Sequence, residues 1–512
     1  MPTMSVASIL AESARRYPDK VALVQGDRRV TYAQAWEQAR RVAAALQERG
    51  VRPGDRVGLL APNVTDFVAG YYGILVMGAT VVPVPTLLSP REAAYLLGVS
   101  HAKHVLFHDS FAGIAQGAAE QAGAEAVEIA SAFDTEPLPT YVSRSPEDVA
   151  VIFFTSGTTG HPKGALLTHL NVTMNVLTNA FDSNPFLPDD VVMGCLPLFH
   201  VFGQNVSMNS TLRVGGTLVL LPRFDPQECL RLMRDEKATG FFGVPTMFVQ
   251  LLAAANAPDA PEPPRLRQCV SGGASLPVAV LEAFDARFDT TIHEGYGLSE
   301  TSPTITVNQD RYGTRAGTVG HPVWGVEVEI ADQGIEDEIV LLPTGERGEV
   351  VARGHAVFAG YLDDPEATSR AIVDGWFRTG DIGIKDEQGF LRIVDRKTDL
   401  IIRGGFNVYP REVEESLIRH PAVDMVAVIG LPHDEQGEEV CAVVTLKPGA
   451  GATPDELIAY GKEHLAKHKY PRRVEIVETL PMGPSHKILK RELRRTLASP
   501  GSAEPAEADA AQ

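Results

Sequence analysis

Cysteine is scarce. The chain of 512 residues has four, Cys195, Cys229, Cys269 and Cys441, and none stands in a C-x-x-C or other metal-ligand spacing. They read as reduced packing residues, and the expected location is the cytoplasm. Long apolar runs are also missing: no stretch of about 18 apolar residues suggests a membrane span. Near the start, Glu12, Arg15 and Arg16 interrupt a short apolar stretch, so no cleavable signal is expected. Positive charge is in deficit. The 46 Lys and Arg against 65 Asp and Glu leave a formal charge of −19. That argues against a general binder of nucleic acid or anionic membrane, while leaving room for a local basic patch. A Walker A loop is absent too, because G-x-x-x-x-G-K-[ST] cannot be written across the chain's one Gly/Ser/Thr-rich loop before a lysine.

What is present is a globular composition, with 44% hydrophobic and 22% charged residues. At this length two or more domains are expected. Residues 5–17 read as a short helix, and Val21–Leu23 with Arg29–Thr31 as a hairpin around Gly26-Asp27. Helical spacing from Tyr32 to Arg49 stops at Gly50; Arg56–Leu60 reads as a strand, Asp66–Met77 as a helix, and Thr80–Val84 as a strand. Pro83 puts that last strand at an edge or at a strand's end. Glu92–Ser100 and His104–His108 continue the alternation as helix and strand. The fold class is α/β, with largely parallel sheets covered by helices.

An apolar run, Val149 to Phe154, feeds into Thr155-Ser156-Gly157-Thr158-Thr159-Gly160-His161-Pro162-Lys163-Gly164. Such a cluster is ordinarily a turn. Here a buried strand precedes it and a lysine follows. Glycines allow close backbone approach, and hydroxyls, N–H groups and an ammonium make an anion-binding concavity suited to a polyphosphate.

This stretch closely resembles the phosphate-binding signature of the adenylate-forming superfamily: acyl-CoA synthetases, luciferases and peptide-synthetase adenylation domains. The resemblance extends over about residues 5–495. Within Leu196-Pro197-Leu198-Phe199-His200-Val201-Phe202-Gly203 it implies that His200 lies by the acyl site as a pocket residue, not as a general base. A histidine between aromatics is otherwise more often a packed core residue. Val201 and Phe202, and Phe242, Gly243 and Val244 further on, are implied to wall the acyl pocket, with Gly243 leaving volume for a chain. The last three also read as a core strand ending at Pro245. The Ser271-Gly272-Gly273-Ala274 stretch resembles the loop beside adenine, where Gly273 and Ala274 would lie.

Glu294-Gly295-Tyr296-Gly297-Leu298-Ser299-Glu300-Thr301 matches the family's Y-G-x-[ST]-E motif. Gly295, Tyr296 and Gly297 would face the purine, Ser299 the α-phosphate, and Glu300 with Thr155 the Mg²⁺ ion, a hard cation usually shared with substrate phosphates. Asp381, in Thr379-Gly380-Asp381, and Arg396 are implied to hold the ribose. Thr398 stands at the family's hinge, commonly Asp or Lys. Gly404 and Gly405 would border a thiol tunnel. In Pro484-Ser485-His486-Lys487-Ile488, Lys487 matches the catalytic lysine, and His486 stands where glycine is usual.

These motifs imply a large N-terminal adenylate-forming domain, 1–397, with a β-rich subdomain over 320–394. A small mobile α/β C-terminal domain, 398–497, and a disordered Pro/Ala/Glu-rich tail, 498–512, would follow. The chemistry implied is ATP- and Mg²⁺-dependent activation of a carboxylic acid as its acyl-adenylate, then transfer to a thiol. No acidic residue occurs from Val201 to Arg213 to hold an α-amino group. An aliphatic acid of medium or long chain is therefore expected, with an aryl acid left open. Only Ile382 to Val394 separates Asp381 from the Arg396 motif, without the insertion of fatty acyl-AMP ligases, so coenzyme A is the expected acceptor. Loading of an acyl carrier protein is the alternative, and a non-catalytic acyl- or nucleotide-binding relative the third. The basic residues Lys462, Lys467, Lys469, Arg472, Arg473, Lys487, Lys490, Arg491, Arg494 and Arg495 form either a solvated helix face or a patch for coenzyme A phosphates or an acidic carrier protein.

Overall fold

The computed structural model describes residues 2–155, 162–258, 260–483 and 487–498. Ser156, Gly157, Thr158, Thr159, Gly160, His161, Ser485, His486 and the tail from Ser499 lie outside them.

The chain divides into two compact units. The first comprises Met1–Thr379 and Ile384–Arg392, the second Gly380–Gly383 and Ile393–Gln512.

Two large sheets carry the first unit. Among the described residues one has six strands, in the order Glu125–Glu128, His104–Phe107, Arg56–Leu60, Thr80–Pro83, β1 (Val149–Thr155) and β2 (Lys163–Thr168). All its pairs are parallel except β1 with β2. Thr80–Pro83 is therefore an interior strand, and Pro83 is tolerated because it ends it. The other sheet has nine strands among the described residues. It runs from Arg28–Thr31 through Val21–Gln25, Thr217–Leu220 and Val191–Gly194 to β3 (Gly240–Gly243), β4 (Gln268–Ser271), β5 (Ile292–Gly297), β6 (Thr304–Val307) and His321–Pro322. Strands β3, β4 and β5 are parallel, so their C-terminal ends emerge side by side, as in other α/β sheets that bind ligands there. A smaller sheet holds Val326–Ala331, Arg347–Gly354, β7 (Trp376–Lys385) and Ile372–Val373, with β8 (Leu391–Arg396) pairing β7.

The helices begin where local chemistry starts them. Thr31 and Gln34, Ser89 and Glu92, and Thr168 and Asn171 form reciprocal capping boxes. Interior helices lose their polar face: all twelve residues of Thr65–Val76 are buried.

The second unit has its own sheet, Phe406–Val408, Ile401–Arg403, Gly437–Leu446 and Val423–His433, with Arg473–Ile476 pairing Gly437–Leu446. Helices α1 (Pro410–Leu417), α2 (Pro454–His464) and α3 (Lys490–Ala498) accompany it. Val413, Leu417, Val428, Val440, Val444 and Leu457 form a buried core on one side of the sheet. Ile429, Cys441, Val443, Leu480 and Leu493 form another.

Candidate active site

Thr155 ends β1, Lys163 opens β2, and the two are directly opposed in the antiparallel register. The ends of the expected phosphate loop are thus held side by side, though Ser156 to Gly160 themselves lie outside the described residues. Lys163 Nζ is 3.5 Å from Asp364 Oδ2 and 5.3 Å from the centroid of the Tyr361 ring.

Across from Thr155 is Glu300, in the short 3₁₀ turn Ser299–Thr301 that follows β5. Thr155 Oγ1 donates to Glu300 Oε1 at 3.3 Å, and Tyr361 Oη donates to the same oxygen at 3.0 Å. Glu300 is 7% exposed, so its charge is held largely out of water. Burial, and then the Glu300 charge, push the Tyr361 phenol up, which keeps it a donor. Among the described residues no cluster of three or more His, Cys, Asp or Glu side chains could hold a metal. A single carboxylate and a hydroxyl suit Mg²⁺, which keeps waters and takes substrate phosphates as its remaining ligands. The donor set therefore fits that ion.

Gly295, Tyr296 and Gly297 lie on the last half of β5, paired with Val307, Thr306 and Thr304 of β6. A Cβ at Gly297 would stand 1.7 Å from the Pro303 carbonyl oxygen. Gly297→Ala is accordingly expected to cost on the order of 3 kcal/mol, read as a lower midpoint of thermal unfolding. An unchanged midpoint would contradict that packing. The loop after β4 carries exposed Gly273 and Ala274, and Leu276 N donates to Glu294 Oε1 at 3.1 Å, tying it to β5.

His200 lies in a turn pinned by Asn63. The Asn63 amide donates to the carbonyls of Gly194 and Leu196 at 3.0 and 2.8 Å and accepts from Leu198 N at 3.0 Å. Phe202 N donates to His200 Nδ1 at 3.3 Å. Beyond it, Phe202–Asn209 forms a fully buried π-helix, a local rewinding often found at functional sites. Its two asparagine amides are engaged internally, while Gln204 donates to Leu198 O at 3.1 Å and keeps a buried Oε1 that is unpartnered among the described residues. Asn205 donates to Ser302 O, and Asn209 donates to Tyr71 Oη and Asn205 Oδ1 while accepting from Tyr72 Oη. Val201, Phe202, Phe242 and Val244 are buried, and the Phe202 ring packs within 3.2 Å of where a Gly272 Cβ would be. At Gly243 the expectation of free volume needs correction. A Cβ there would meet Phe241 at 3.1 Å and Phe248 at 3.3 Å, so on that side ring packing, not an open channel, explains the glycine.

In the second unit Asp381 Oδ1 lies 3.3 Å from Arg396 Nε. Asp381 is buried, and Arg396 extends outward. Lys487 is half-buried. Burial and then the Arg396 guanidinium draw its ammonium down to about 8, with Asp381 opposing them. Thr398 lies in the turn after β8. Gly404 and Gly405 take left-handed φ of 56° and 81° in the next hairpin. Four of the ten cations of the basic run pair with carboxylates inside this unit. Lys490 pairs with Glu414 at 2.7 Å, Arg494 with Asp399 at 2.9 Å, Lys469 with Glu412 at 2.6 Å and Arg473 with Glu475 at 2.6 Å.

Tyr361, Asp364 and Asn63 are absent from the motif reading. Each acts through partners remote in the sequence, and the segment of Tyr361 is marked by positive φ at Gly360, 137°, and at Asp363, 52°.

Comparison with known proteins agrees with this arrangement. The family model for AMP-binding enzymes matches residues 10–362, and that for the AMP-binding enzyme C-terminal domain matches 412–487. A long-chain-fatty-acid–CoA ligase of Bacillus subtilis is 34% identical, over 96% of this chain and 94% of its own. A feruloyl-CoA synthase of Amycolatopsis is 36% identical, over 97% and 99%. The ATP-bound structure of MatB from Rhodopseudomonas palustris superposes with a TM-score of 0.88 at 33% identity, covering 97% of this chain and 99% of that one. The chain belongs to the AMP-binding enzyme family, among its AMP-forming acid–CoA ligases, which use ATP, Mg²⁺ and coenzyme A.

Proposed function

We infer that the protein activates a fatty acid of medium or long chain and transfers it to coenzyme A. One observation carries the choice of acid. From Val201 to Leu212, beyond His200, there is no charged side chain, and Asn205 and Asn209 are committed to each other and to Tyr71, Tyr72 and Ser302. An apolar tail asks for no countercharge there, whereas an ammonium or second carboxylate would meet none. The likeness to a long-chain-fatty-acid–CoA ligase supports the same reading. The likeness to a feruloyl-CoA synthase supports an aryl acid as second reading.

In the first half-reaction a carboxylate oxygen of the acid attacks the α-phosphorus of ATP. The bond to the bridging oxygen breaks, pyrophosphate leaves, and acyl-AMP remains. Two anions meet, so neutralisation and positioning are the enzyme's task. Lys487 bridges the carboxylate and α-phosphate, Ser299 touches that phosphate, and Ser156 to Lys163 hold the departing pyrophosphate. Glu300 and Thr155 would hold Mg²⁺, whose charge would offset that of the phosphates. Asp381 and Arg396 fix the ribose, and Gly273, Ala274 and Gly295 to Gly297 border the adenine. In the second half-reaction the coenzyme A thiolate attacks the acyl carbon, AMP leaves as the carbon–oxygen bond breaks, and the thioester forms. A thiol with pKa of about 8.5 supplies enough thiolate without a dedicated base. In this reading residues 1–397 hold acid, ATP and metal. The domain 398–497 moves about Thr398, exchanging Lys487 for a thiol path beside Gly404 and Gly405. The four cysteines are free and buried, with Cys195 Sγ 3.5 Å from Cys229 Sγ, and we place the protein in the cytoplasm as a reading of their low number.

Mass spectrometry of products from purified protein, ATP, Mg²⁺ and a panel of saturated and aryl acids tests the reading, with coenzyme A in one set and a phosphopantetheinylated carrier protein in the other. Saturated acyl-CoA is the expected product. Aryl-CoA alone shifts the acid to the second reading. Loading of the carrier without acyl-CoA overturns the choice of acceptor.

A further inference from the structure

Glu300 is gripped at two points by one remote segment. Phe358 N donates to the Glu300 carbonyl at 2.9 Å, and Tyr361 Oη donates to its carboxylate at 3.0 Å. The segment is stitched along β2: Ala359 N bonds to Leu166 O, Leu166 N to Gly360 O, and Leu362 N to Gly164 O, at 2.8 to 3.0 Å. Tyr361 N also donates to Thr368 Oγ1 at 2.9 Å. The Tyr361 ring packs edge-on against Phe358, which meets Phe377 in the same way. So fixed, the phenol has little freedom, and its ring face carries Lys163.

Both hydrogen bonds to the Glu300 side chain fall on Oε1. Among the described residues none reaches Oε2. A glutamate has three side-chain torsions to order. Two donors from different parts of the fold, on one oxygen, fix those torsions and leave the other oxygen's lone pairs for a hard cation. We propose that Tyr361 is a positioning residue for the metal site, orienting Glu300 toward Mg²⁺ through its hydroxyl while its ring face supports Lys163 at the foot of the phosphate loop. The proposal rests on the assignment of Glu300 to the metal.

Tyr361→Phe removes the hydroxyl and keeps the ring, its packing and its contact with Lys163. Binding is read without turnover, from the electron paramagnetic resonance signal of free Mn²⁺, which stands in for Mg²⁺. The protein is titrated in the presence of α,β-methylene-ATP, whose α–β linkage cannot be broken. The expected result for Tyr361→Phe is a Mn²⁺ dissociation constant weaker by about fivefold, with the thermal midpoint of the unliganded protein within about 2 °C of wild type. In kinetics the half-saturating Mg²⁺ concentration rises by a similar factor, and excess Mg²⁺ restores most of the rate. In a Glu300→Gln background Tyr361→Phe adds nothing to the loss of Mn²⁺ binding. Unchanged Mn²⁺ affinity in Tyr361→Phe, with Glu300→Gln impaired, overturns the positioning role and leaves the metal assignment standing. Unchanged affinity in Glu300→Gln overturns both. A lowered midpoint with unaltered Mn²⁺ affinity reduces Tyr361 to a packing residue.

Discussion

Lys487→Ala is expected to slow acyl-adenylate formation by about 10²–10³-fold, while transfer of the acyl group from supplied acyl-AMP to coenzyme A stays within about threefold of wild type. The first step brings a carboxylate against the α-phosphate, and the ammonium is the cation assigned to lie between them. The second step needs no such bridge. Pyrophosphate release measures the first, and thioester formation from synthetic acyl-AMP the second. Equal losses in both would make Lys487 a residue of general structural importance; no loss in either would remove it from the chemistry.

The same side chain sets a pH dependence. Burial and Arg396 draw the ammonium down to about 8. Its charged form prevails below that pH and is lost above it. The kcat/KM of adenylation, which reports the free enzyme, is therefore expected to hold on the acid side and to fall by about tenfold per unit well above pH 8. Lys487→Arg keeps its charge throughout, so its slower reaction is expected to lack this alkaline limb. An alkaline limb that survives in the arginine variant belongs to another group.

The fold was legible where periodicity and local chemistry agree. Tyr32–Glu48 has a capping box at its start and Gly50 just past its end. Val149–Thr155 is apolar because its pairing buries it. The motifs gave Thr155 and Glu300 as a pair, and their hydrogen bond joins residues 145 apart in the chain. Tyr361 could not be found in this way. Its position depends on a pairing with Ala165, and neither Gly360-Tyr361-Leu362 nor the β2 sequence announces it. Asn63 is hidden for the same reason, since its partners begin at Gly194. For the basic run the fold answers only part of the choice between a solvated face and a docking patch. A linear count of charges says nothing of Glu412, Glu414 and Asp399, which the fold brings to Lys469, Lys490 and Arg494. A surface patch for an acidic partner must be assembled from the cations that remain.

Glu300→Gln is the sharper test of the metal site. The amide has almost the same shape, and its oxygen still accepts from Thr155 and Tyr361, so packing around the 3₁₀ turn is retained. What disappears is one negative charge, held in a site only 7% exposed where water screens little of it. A hard divalent cation binds a neutral amide oxygen far less well than a carboxylate. With less metal, the phosphates meet the incoming carboxylate with their charge poorly offset. The expected result is a fall in kcat/KM for ATP of about 10²–10³-fold, equivalent to roughly 3–4 kcal/mol. Thr155→Val leaves the carboxylate in place and removes a hydroxyl that both donates to Glu300 and is assigned to the metal, and it should cost only about three- to tenfold. The comparison separates the carboxylate's charge from the neutral hydroxyl. If Glu300→Gln and Thr155→Val lose activity equally, the charge carries no more of the site than the hydroxyl does. If the glutamine variant keeps the wild-type dependence on ATP and Mg²⁺ while folding normally, Glu300 is not the ligand, and the ion is held by substrate phosphates with other groups of the site.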